Sequence, residues 1–68
     1  MSQNIKIVLR SGFLINLQLP VILEAETYHE ASSFVDDLRN YESNVIIVNG
    51  TQSIYLEPTE IAAIICSN

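Results

Sequence analysis

Chemistry at a protein site needs groups that converge, and this chain holds few of them. His29 is the only histidine and Cys66 the only cysteine among 68 residues. General acid–base or metal work by His29 requires a second group brought beside it, and its nearest carboxylates in sequence are Glu26 and Glu30. The plainer expectation is an exposed residue in the first turn of a helix. Cys66 lies between Ile65 and Ser67, without the histidine or basic neighbour that holds a thiolate, so it reads as a structural thiol. A single cysteine makes no internal disulfide, and no cysteine–histidine cluster has zinc-ligand spacing. Ser11-Gly12 and Asn49-Gly50 are isolated turn glycines, not the glycine-rich run that cradles a phosphate at a helix start. The expectation is no catalytic residue, no metal and no cofactor, in a reducing, cytoplasmic setting.

Charge is more informative. Three basic residues stand against eight acidic ones, a net charge of −5. Residues 1–23 carry Lys6 and Arg10 and no acid, whereas residues 24–68 carry every acid against Arg39 alone. Phosphate binding rewards the opposite balance, which disfavours direct contact with DNA or RNA. Glu24, Glu26, Glu30, Asp36, Asp37 and Glu42 fall on or beside one amphipathic segment, so its solvent side presents a negative stripe. The bland account of such a stripe is solubility. The sharper one is recognition of a basic protein surface, such as a nucleic-acid-handling enzyme offers to phosphates, through Glu26, Glu30, Asp36, Asp37 and Glu42. Tyr28, Tyr41 and Tyr55 are candidate anchors, although Tyr28 and Tyr41 have the spacing of core residues.

These groups must be positioned by short elements. Ile5, Ile7 and Leu9 alternate with Lys6 and Arg10, and Phe13, Ile15, Leu17 and Leu19 repeat the period of a strand with one buried face. Face parity favours a three-residue Arg10-Ser11-Gly12 loop, which sets Ile7 opposite Ile15 and Ile5 opposite Leu17. Pro20 ends regular pairing because it has no N–H for the ladder. Thr27 and Glu30 have capping-box spacing, so a helix is expected from Thr27, with Tyr28, Ala31, Phe34, Val35, Leu38 and Tyr41 on one face. Val45-Ile46-Ile47-Val48 reads as a central strand covered on both sides. Asn49-Gly50 then signals a hairpin with two open registers: a two-residue Asn49-Gly50 turn pairing Val45 with Ile54, or a four-residue loop pairing Ile47 with Ile54. A turn around Pro58 precedes a last strand near 63–66. The expected fold is a single α+β domain over 1–68, a mostly antiparallel sheet of about five strands in the order β-β-α-β-β-β, with one helix packed on it.

The apolar share, 49%, is high for a chain with so little interior. A scaffold of this size without disulfide or metal gains stability from association, so a homodimer is expected. Met1-Ser2-Gln3-Asn4 has no basic region of the signal-peptide kind, and no apolar run approaches membrane-spanning length. The succession of Ile5 to Gly12, an amphipathic middle, Val45 to Gly50 and Ile54 to Ile64 resembles short β-rich proteins carried by phages and mobile elements of Gram-positive bacteria. Some of these inhibit host defence, anti-CRISPR proteins among them, and the resemblance implies such a role without carrying over any residue-level motif. The leading expectation is a non-enzymatic interaction protein that inhibits or regulates a larger one. The alternatives are a structural, self-assembling β protein and a small-ligand-binding homo-oligomer.

Overall fold

The computed structural model describes residues 3–67. Met1, Ser2 and Asn68, at the ends of the expected domain, lie outside the described residues. The fold is α+β: seven strands among the described residues, in two antiparallel sheets, with one helix. The strands are β1 (Asn4–Leu9), β2 (Leu14–Gln18), β3 (Val21–Leu23), β4 (Glu26–Tyr28), β5 (Val45–Asn49), β6 (Gln52–Leu56) and β7 (Ile61–Ser67), and the helix is α1 (Ala31–Asn40). One sheet has the order β2-β1-β7 and the other β4-β3-β5-β6. This corrects the expectation of a single five-stranded sheet. Pro20 is the physical break: β2 stops at Gln18, and Val21 opens a strand that belongs to the other sheet.

The first hairpin has the expected register. Ile5 pairs with Leu17 and Ile7 with Ile15. Leu9 N–H donates to the Phe13 carbonyl at 2.9 Å and Gly12 N–H to the Leu9 carbonyl at 2.8 Å. Gly12 has a φ of +93°, a conformation an L side chain resists. In the second hairpin Ile47 faces Ile54, the longer-loop register, but pairing continues to Asn49 opposite Gln52. The turn is therefore Gly50-Thr51 rather than a four-residue loop.

The largest departure lies between Val21 and Glu30. Thr27 starts no helix; it stands in β4 opposite Ile22. Glu24 and Ala25 adopt left-handed backbone, φ 49° and 69°, and close a tight hairpin that pairs Leu23 with Glu26 and Val21 with Tyr28. The β-branched and aromatic Thr27-Tyr28 pair fits a strand beside Val21-Ile22-Leu23, and this pairing outcompetes the capping box. The α1 N-cap is Glu30, which makes no side-chain capping bond. The apolar helical face holds in part: Ala31, Phe34 and Leu38 are buried and Val35 is half-buried, but Tyr28 lies on β4 and Tyr41 is exposed at the C-cap.

Helix α1 packs against β3 and β4. One core cluster takes Ile5, Ile7 and Leu17 from the first sheet; Val21, Leu23, Tyr28, Val45, Ile47 and Leu56 from the second; and Ala31, Phe34 and Leu38 from α1. β5 does lie inside its sheet, between β3 and β6, but Ile46 is exposed. β5 is therefore covered on one side and not on both: the β-branched run reflects strand propensity, and only the Val45 and Ile47 face meets the core. After a 3₁₀ turn at Pro58–Glu60, β7 runs the whole way from Ile61 to Ser67, longer than expected, and closes the first sheet against β1.

Candidate functional site

The five carboxylates expected to meet a partner gather around α1 and β4, and four of them divide between two grooves. Glu26 is exposed on β4, Glu30 is exposed at the α1 N-cap, Asp36 is exposed and Asp37 half-buried within α1, and Glu42 is exposed in the segment leading to β5. Adjacent helical residues diverge by roughly 100°, so Asp36 and Asp37 serve opposite flanks. Asp37 joins Glu26, Tyr28, Asn40 and Tyr41 around a shallow groove of about 310 Å³. Asp36 and Glu30 line an open groove of about 930 Å³ with His29, Val35 and Cys66. Glu42 lines neither. The four exposed carboxylates Glu26, Glu30, Asp36 and Glu42 form no ion pair among the described residues.

Asp37 has a structural partner. The Tyr28 hydroxyl donates to Asp37 Oδ2, and the Tyr28 ring meets Phe34 edge to face, centroids 5.9 Å apart at 72°. The bond to Asp37 pushes the Tyr28 hydroxyl from its ordinary value of 10 up to about 12, with burial and the negative charges of Asp37 and Glu26 acting in the same direction. The pair fixes β4 to α1 and holds one carboxylate of the acidic set in place. Glu24 is also structural: its N–H donates to the Ile46 carbonyl at 3.1 Å, and its carboxylate accepts from the Ile46 N–H at 2.6 Å.

The fold brings the only histidine and the only cysteine to the same groove, a juxtaposition the sequence spacing did not reveal. Among the described residues no group of three or more histidine, cysteine and carboxylate side chains could hold a metal ion. On the basic side, Arg10 Nε donates to the Thr59 carbonyl at 3.2 Å and Arg10 N–H to the Glu60 carbonyl at 2.8 Å, clamping the first hairpin to the 3₁₀ turn. Lys6 lines a groove otherwise made of uncharged residues such as Asn4, Asn16 and Asn49.

Tyr28 proves to be core, whereas Tyr55 is 77% exposed. Tyr55 joins Phe13 and Leu14 at an apolar groove between β2 and β6, two edge strands of different sheets. The sequence signal was available in the Phe13-Leu14 doublet, because two consecutive apolar residues cannot both face one core. Asn49 carried no such signal beyond its turn propensity. Its side-chain amide accepts from the Gln18 N–H at 3.1 Å and donates to the carbonyls of Gln18 at 2.6 Å and Pro20 at 3.2 Å. It thus satisfies the end of β2 from the second sheet, a contact dictated by tertiary structure alone.

No helix among the described residues is long and apolar enough to cross a membrane. Comparison with protein-family models, with curated proteins and with solved structures found no match.

Proposed function

We propose that this protein is a non-enzymatic interaction module that docks on a basic surface of a larger protein and inhibits or regulates it. The carrying observation is the set of exposed, unpaired carboxylates Glu26, Glu30, Asp36 and Glu42 around α1 and β4, with Asp37 held among them by Tyr28. Unpaired surface charge contributes little to stability but steers and orients association with a complementary face. The role belongs with the small acidic phage-borne inhibitors of host defence that the strand pattern resembles, and the module acts as a homodimer in the cytoplasm. The variant Glu26→Gln, Glu30→Gln, Asp36→Asn tests it, leaving Asp37 and the fold intact. Affinity for the partner should fall at least tenfold, with a weaker dependence on salt. Unchanged affinity in the folded variant contradicts the acidic-face account.

A second reading, self-assembly through sheet edges, has support in β7. Seven uncharged residues, four of them Ile or Cys, form an outer strand of the first sheet.

A further inference from the structure

Edge strands expose backbone groups that a partner strand can satisfy, and their alternation shows which groups remain open. In the first sheet, Leu9 N–H bonds to Phe13 and Leu19 N–H bonds to the Gln3 carbonyl, so the odd residues of β1 face β2 and the even ones face β7. The register Lys6↔Ile65 and Val8↔Ala63 then uses the odd residues of β7, and the N–H and C=O of Ile64 and Cys66 point outward, while Ala62 is the extra residue of a bulge, opposite no residue of β1. Other edges offer less. β2 has its outward group at Gln18 occupied by Asn49, β4 is three residues long and starts with Glu26, and β6 is five residues long.

We propose that β7 pairs antiparallel with β7 of a second copy of this chain, about a two-fold axis at Ile64. This deepens the self-association reading and is independent of the acidic-face reading. Three observations select a second copy. First, residues 61–67 bear no charge, so two chains of net charge −5 can meet here without opposing carboxylates. Second, side-chain sizes fit that register: Ile64 meets Ile64 on the core side, and the small Ala63 leaves room for Ile65 on the other. Third, space exists on the core side. Ile64 pairs with the buried Ile7 yet is only half-buried itself, and it opens on a groove of about 450 Å³ whose apolar wall is Val35, Tyr41, Ile61 and Ala62 and whose polar wall includes Arg39 and Thr59. The partner's Ile64 side chain enters that groove. On the other face, Ile65, 52% exposed, gains cover from the partner's Ala63.

Sedimentation equilibrium and cysteine cross-linking test the proposal. In Ile64→Cys, Cys66→Ser, the two engineered thiols belong to a hydrogen-bonded pair with Cα atoms about 5.5 Å apart, within disulfide reach, and mild diamide oxidation should give a covalent dimer. The Cys66 thiols of the natural chain stand roughly 14 Å apart by strand rise, and the same treatment should leave them unlinked. Ile65→Glu keeps the monomer fold, because the new carboxylate lies opposite Lys6. It sets two carboxylates about 7–8 Å apart across the axis and should weaken the dimer at least tenfold. A dimer insensitive to Ile65→Glu and not cross-linked through residue 64 overturns the β7 pairing while sparing self-association. A monomer at all concentrations overturns both.

Discussion

At the residue scale, two side chains hold elements together that the sequence presents as unrelated. Tyr28 keeps its proton to about pH 12 in the folded protein, whereas an unfolded tyrosine loses it near 10. The stabilisation from this linkage is complete below pH 10 and drains away as pH rises from 10 to 12. Denaturant midpoints across that range should fall in the wild type, and the fall should be smaller in Tyr28→Phe, which retains the ring packing on Phe34. Equal slopes in the two proteins would remove the Tyr28–Asp37 bond from the account. Asn49 makes a sharper case. Asn49→Ala leaves the Gln18 N–H and the exposed Gln18 and Pro20 carbonyls to water and should lower stability by about 0.5–1.5 kcal/mol in urea titrations. Asn49→Asp should do no better, because a carboxylate would face those same two carbonyls. Neither partnership was legible beforehand: Asn49 announced only a turn, and Tyr28 announced a core position on the wrong element.

At the scale of elements, local pattern succeeded where one interaction dominated. Parity alone decided the β1–β2 register, because a slip would turn Ile5, Ile7, Ile15 and Leu17 away from the core. The periodicity of Ala31, Phe34 and Leu38 identified the buried face of α1 for a similar reason. It failed between Glu24 and Glu30, where Thr27 and Glu30 offered a capping box and strand pairing with β3 offered more. The hairpin that won turns on Glu24 and Ala25 in left-handed backbone, which for an L residue costs roughly 1–2 kcal/mol. Ala25→Gly should therefore raise stability by about 1 kcal/mol, or several degrees in Tm for a chain of this size. A lower Tm would show that Ala25 is not strained there. Leu38→Ala should cost about 2–5 kcal/mol by opening a cavity against a fully buried site, read as loss of cooperative unfolding or a large drop in midpoint.

For the whole molecule, the sequence disclosed the α+β class and the charge asymmetry, but not the division into two sheets. That division depends on which strands find each other across the chain: β7 returns to β1, and β5 joins β3, contacts that no local window contains. Likewise, the acidic stripe was visible as composition, while its split into a Glu26–Asp37 flank and a Glu30–Asp36 flank required α1 and β4 to be placed. The most direct test of the central claim is paired affinity capture from a lysate of the protein's own host, with and without nuclease, using the wild type and Glu26→Gln, Glu30→Gln, Asp36→Asn as baits. One stoichiometric protein, nuclease-resistant and salt-sensitive, should be captured by the wild type and lost from the neutralised bait. Capture of the same protein by both baits, or of none by a folded wild type, would contradict it.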